Sequence, residues 1–80
     1  MSLGRKKLQI LQMLSLNLRN PQPEPVRSDA IAHRLQISMP ETVLLIKVMN
    51  DMGVIQSNME HRLCLITRKG MEYLKQAEVQ

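Results

Sequence analysis

The stretch Ser28–Ile55 reads SDAIAHRLQISMPETVLLIKVMNDMGVI, and its punctuation decides the fold. It predicts two helices joined by a tight turn, closed by Gly53 and followed by a strand. Ser28 is expected to cap the first helix, because a hydroxyl there accepts from an otherwise unpaired backbone N–H. Ile31 and Leu35 fall on one face of that helix, and Ala32 leaves room for a close neighbour. The turn is Gln36-Ile37-Ser38, with Ile37 as an inward plug. Ser38 opens the second helix, and Glu41 three residues on makes the capping-box pattern. Pro40 sits in the first turn, where a missing N–H costs little. Gly53 stops the helix, since glycine takes a left-handed cap conformation without a side-chain clash.

Two short helices with a small turn form a helix-turn-helix unit, whose second helix can enter a DNA major groove. Working outward toward the N-terminus, residues 4–19 read as a first helix. Leu8, Leu11, Leu14 and Leu18 make one stripe with Ile10 at its edge. Met13 and Leu16 point away from the stripe, so either the helix packs on two sides or its outer face meets a partner. Arg5, Lys6 and Lys7 crowd its first turns against the helix dipole, and can serve phosphate contact. Residues 20–27 begin NPQPEP, an extended proline-rich connector, and Val26 is expected to form a short strand beside a later hairpin. Outward toward the C-terminus, residues 54–66 predict that hairpin. Val54 and Ile55 begin it, Gln56–His61 is polar and turn-like, and Arg62–Ile66 returns. Thr67 then caps a last helix, residues 67–78, whose Gly70, Tyr73, Leu74 and Ala77 share a face. Gly70 lets that helix approach its neighbour closely.

The order of Ala30-Ile31-Ala32, Leu35, Ile37-Ser38, Ile46, Met49 and Gly53-Val54-Ile55 resembles the winged helix-turn-helix domains of bacterial and archaeal regulators. The later run Leu65-Ile66-Thr67-Arg68-Lys69-Gly70-Met71-Glu72-Tyr73-Leu74 resembles the strand-to-helix exit of many such domains. The matches run from Val26 to Leu74. One departure is Gln36, at a turn position usually held by glycine, where a left-handed backbone costs roughly 1 kcal/mol. The resemblance implies a mostly α, α+β fold: a three-helix bundle, a small antiparallel hairpin wing and a C-terminal helix, in one domain over residues 1–80. It also implies a transcription regulator with the helix 39–52 in the major groove and the wing on the backbone or minor groove.

Composition bounds the alternatives. Eighty residues suffice for one small domain. Aliphatics and seven Met supply the core, and Tyr73 is the single aromatic. The net charge of +4 and a sequence pI of about 9.7 suit a polyanionic partner such as double-stranded DNA. One Cys rules out an intramolecular disulfide and suits a reducing cytoplasm. No apolar run is long enough to span a bilayer, and Gln9, Gln12, Asn17 and Arg19 interrupt the N-terminal apolar stretch as a signal peptide would not allow. An enzyme is not expected. His61 and Cys64 are three apart, but a structural zinc site needs four ligands, and no Gly-rich phosphate loop or serine elbow occurs. Cys64, between Leu63 and Leu65, reads as a packed thiol, and His33 faces solvent. No cofactor is expected.

The functional question turns on the outer face of the helix 39–52. At ~100° per residue, Thr42, Leu45, Ile46, Met49 and Met52 face the core. Pro40, Val43, Leu44, Lys47, Val48 and Asp51 face outward. The candidate DNA-contacting residues are Arg27, Arg34, Ser38, Pro40, Val43, Leu44, Lys47 and Arg62, the arginines and Lys47 for phosphate. Aliphatics can touch thymine methyls, yet Lys47 is the only cation on this face. A protein-contact surface of Met13, Leu16, Val43, Leu44 and Val48 is therefore the second reading, with a homodimer its simplest form.

Overall fold

The computed structural model describes residues 4–22 and 24–78. Met1-Ser2-Leu3, Val79-Gln80 and Pro23 of the connector lie outside the described residues. The chain runs α1 (Arg5–Asn17), β1 (Val26–Arg27), α2 (Ser28–Leu35), α3 (Met39–Met52), β2 (Ile55–Ser57), β3 (Leu63–Ile66) and α4 (Arg68–Glu78). The strands form one antiparallel sheet in the order β1-β3-β2. Cys64 of the central strand pairs with Val26 on one side and Ser57 on the other. Helices α1 to α3 make a bundle, and the sheet and α4 close it. This is a winged helix-turn-helix.

The first helix differs from its expected stripe. Its buried residues are Ile10, Leu11 and Leu14, so Ile10 sits at the centre rather than the edge. Leu18 is 41% exposed and lies beyond the helix end. The cause is Pro21, which lacks an N–H and disfavours helical backbone in the residue before it. The chain therefore winds off through short bonds, Arg19 N–H to Leu16 O and Asn20 N–H to Asn17 O. Met13 is half-buried and packs against the core, which fits the two-sided alternative for this helix. Leu16 does point out, at 56% exposure.

Ser28 is not the cap of α2. It is the first helical residue, and Arg27 holds the cap position in extended backbone. The reason is that β1 runs straight into α2 with no intervening residue. The Ser28 N–H is satisfied across the sheet, donating to Arg62 O at 2.7 Å. The left-handed residue of the turn is Gln36, at φ 57° and ψ 46°. Ile37 N–H donates back to Ala32 O at 3.1 Å and closes the turn. Ile37 is half-buried rather than a full plug.

At the start of α3, Ser38 Oγ accepts from the Glu41 N–H at 3.3 Å. Only this half of the capping box forms. The Glu41 carboxylate turns away to Lys6 Nζ of α1, 2.5 Å distant. The buried Thr42 hydroxyl donates to Ser38 O at 2.8 Å. Gly53, at φ 81°, ends the helix in a left-handed cap, and Val54 N–H donates to Met49 O.

The core joins Ile10, Leu11 and Leu14 of α1, Ile31 of α2, Ile46 and Met49 of α3, Val54 and Ile55, Cys64 and Ile66, and Leu74 of α4. Each contributes roughly 1.5–3 kcal/mol by leaving water, which is how an aromatic-poor chain carries a domain this size. Thr67 Oγ1 donates to Gly53 O at 2.6 Å and accepts from Gly70 N–H at 3.1 Å, so one hydroxyl caps α4 and ties it to the end of α3. Gly70 faces Val54 so closely that a Cβ there would lie 2.0 Å from the Val54 carbonyl oxygen. Tyr73 is half-buried and Leu74 buried on the same face, but Ala77 is exposed, because the core reaches no further along α4 than Leu74.

Candidate nucleic-acid interface

The rotation of α3 decides what it presents. Thr42, Ile46 and Met49 are buried, and Leu45 and Met52 are half-buried against the core. Outward stand Pro40, Leu44, Lys47, Val48 and Asp51, all exposed, with Val43 half-buried at the margin. Leu44 is 60% and Val48 37% exposed. The helix thus offers an aliphatic ridge with Lys47 beside it.

The wing stands next to this helix. Its loop contains Asn58, Met59, Glu60, His61 and Arg62, between β2 and β3. Asn58 Oδ1 accepts from the backbone N–H groups of Arg62 at 2.8 Å and Leu63 at 3.3 Å, and His61 takes a left-handed φ of 56°. Met59 at the tip is wholly solvent-exposed.

Sheet pairing brings two of the candidate arginines together. Arg27 is paired in register with Leu63, the residue after Arg62. Arg27 and Arg62 then line one open cleft of about 440 Å³ with Ser28, Asp29, Asn58, Leu63 and Met39, the first residue of α3. Each arginine has an exposed acidic companion: Asp29 at 2.9 Å from Arg27, and Glu60 at 3.3 Å from Arg62. Such pairs in water are worth at most about 1 kcal/mol and exchange readily for a phosphate. Arg34 lies at the other end of α2. It lines a smaller recess of about 170 Å³ with Gln9, Gln12, Met13, Leu16 and Leu35, so it shares surroundings with the candidate protein-contact residues of α1. Ser38 and Pro40 stand exposed at the start of α3. Among the described residues neither Arg34 nor Lys47 forms an ion pair.

Cys64 is buried in the central strand, and its burial pushes the thiol pKa up to about 11. Such a thiol stays protonated at neutral pH. His33 is exposed, while His61 Nδ1 lies 2.9 Å from Ser57 Oγ. Among the described residues no three His, Cys, Asp or Glu side chains gather to hold a metal ion. No helix is long and apolar enough to cross a membrane.

Sequence reasoning passed over Met39, Asn50 and Asn58. Met39 stands where α3 begins, at the cleft. The acceptor roles of Asn50 and Asn58 depend on backbone N–H groups four to seven residues away. Asn58 before a turn was the one readable signal, since Asn side chains commonly bond nearby backbone.

The fold is that of MarR-family proteins. The structure of a MarR-family transcriptional regulator from Rhodococcus sp. RHA1 matches 96% of this chain with a TM-score of 0.79 and 18% identity. That of a MarR family protein from Mycobacterium tuberculosis matches 96% with a TM-score of 0.78 and 18% identity. The chain spans about half of each, 54% and 53%. No protein-family model and no curated protein matches the sequence.

Proposed function

We propose that this chain is the DNA-binding winged helix of a cytoplasmic transcription regulator and has no catalytic role. In this reading α3 enters the major groove, and the wing reaches the backbone or the adjacent minor groove. The observation that carries it is the convergence of Arg27 and Arg62 on one cleft that ends at Met39, the first residue of α3. A phosphate flanking the groove would then meet two guanidinium groups as α3 docks. Lys47, Ser38 and Pro40 lie on or beside the docked face, and Arg34 would extend phosphate contact along α2. Base discrimination would come chiefly from Lys47 and from Val43 and Leu44 against thymine methyl groups.

The test is a titration with random-sequence duplex at two salt concentrations. Contacts from Arg27, Lys47 and Arg62 predict a log-log slope of roughly −3, from about −0.9 per phosphate neutralised. Absence of binding to any duplex at low salt removes the proposal.

A second reading has its own support in the exposure of Leu44 and Val48. An apolar ridge on a helix suits protein contact, and a second copy of the chain is the simplest partner, with Met13 and Leu16 as a further candidate contact. Leu44→Glu and Val43→Glu should lower the mass measured by light scattering if the ridge is the interface. An unchanged mass and unchanged partner capture in both variants would exclude it. Dimerisation through α1 is compatible with DNA on α3.

A further inference from the structure

The wing is too short to hold its own shape. β2 has three residues and β3 four, and past Ser57 the ladder continues through a single bond, Asn58 N–H to Leu63 O at 3.1 Å. Side chains supply the remaining restraint. In the last turn of α3, Asn50 Oδ1 accepts from the Ser57 N–H at 3.1 Å, in a partly buried bond. Ser57 sits at the end of β2, and its Oγ meets His61 Nδ1 at 2.9 Å. Asn58, the next residue, holds the Arg62 and Leu63 N–H groups. Arg62 O is in turn fixed by the Ser28 N–H at the start of α2. A continuous set of hydrogen bonds therefore runs from α3, through the wing, to the backbone of Arg62. Asn50 is the member of that set that belongs to α3.

We infer that Asn50 is a positioning residue that sets the angle of the wing to α3, and so places Arg62 against phosphate when α3 lies in the groove. The inference rests on the DNA-binding reading for its second half only. The bracing itself is a property of the free protein. Bracing matters here because the bonds from Thr67 to Gly53 O and Val54 O hold only the near end of β2, and Ser57 lies beyond them at its far end. Among the described residues, the Asn50 side chain makes the one hydrogen bond between α3 and the far end of β2, and Asn50→Ala removes it.

The experiment has two arms. In the free protein, amide exchange of Ser57 should quicken by about tenfold or more in Asn50→Ala and stay near wild type in Asn50→Asp, which keeps the acceptor oxygen. On duplex DNA, Arg62→Ala should reduce the salt slope by about one contact. Asn50→Ala should reduce it equally, and the double variant should lose no more than either single one. A merely structural loss would weaken binding without changing the slope. Unchanged Ser57 exchange in Asn50→Ala, or slope losses that add in the double variant, overturns the inference. If Arg62→Ala leaves the slope unchanged, the wing contact of the proposed function fails instead. The bracing role is then decided by Ser57 exchange and its retention in Asn50→Asp.

Discussion

Gly70 has no room for a methyl group. The nearest obstacle is backbone, the Val54 carbonyl, which cannot rotate aside as a side chain would. Gly70→Ala should therefore destabilise the protein by about 3 kcal/mol or more, at the upper end of overpacking costs, read as a drop in urea midpoint. Gln36 poses the opposite case. Its left-handed backbone is a penalty that glycine lacks, so Gln36→Gly should raise stability by up to about 1 kcal/mol in the same assay. Cys64 adds a pH dependence. Burial holds its folded pKa at about 11, above the ordinary thiol value of 9.0. The raised value means folding favours the protonated thiol. That contribution is complete below pH 9 and is lost as pH rises toward 11, on the order of 2 kcal/mol across the window. Wild type should lose more stability over this range than Cys64→Ala, as followed by chemical denaturation. All three positions were legible in the sequence, because glycine, a turn lacking glycine, and a thiol between leucines each announce a local constraint. Ser28 was misread, because nothing local reveals that a strand ends one residue before the helix begins.

At the scale of elements, the start of α3 shows how tertiary contact competes with local pattern. Ser38 and Glu41 spell a reciprocal cap, yet Glu41 is drawn to Lys6 across the bundle. The contact links the basic first turn of α1 to the first turn of α3, and it neutralises an acid at the entrance of the candidate DNA-contacting helix. Ser38→Ala should cost about 1 kcal/mol by losing the cap. Lys6→Ala should cost less than that, because the pair is half-exposed, and thermal melts of the two variants would rank them. The helices were legible from periodicity and stop signals, with α1 overrun by two residues where Pro21 acts at a distance. The existence of the hairpin was legible too. Its internal bracing was not, since Asn50 sits in a helix whose pattern says nothing about the strand that follows.

At the scale of the molecule, the basic residues are not spread evenly around the candidate interface. Arg27 and Arg62 meet through strand pairing, whereas Arg34 lies outside their cleft and shares one recess with Arg27 along α2 and another with α1. Arg27→Ala and Arg62→Ala should each reduce the salt slope of duplex binding by about one, and Arg34→Ala by less, in titrations at matched salt. Sequence could nominate these arginines as cations but could not sort them, because the sorting depends on the register that sets Val26 opposite Cys64. The aliphatic ridge of α3 was legible from helical spacing alone, and Leu44 and Val48 stand exposed on it.

The Thr67 hydroxyl joins the end of α3 to the start of α4, and Val54 O accepts from the Thr67 N–H at the same junction. With Gly70 pressed against Val54, this joint leaves no slack. A torque applied to α4 would accordingly pass into the end of α3, so the last helix and the candidate DNA-contacting helix would turn together.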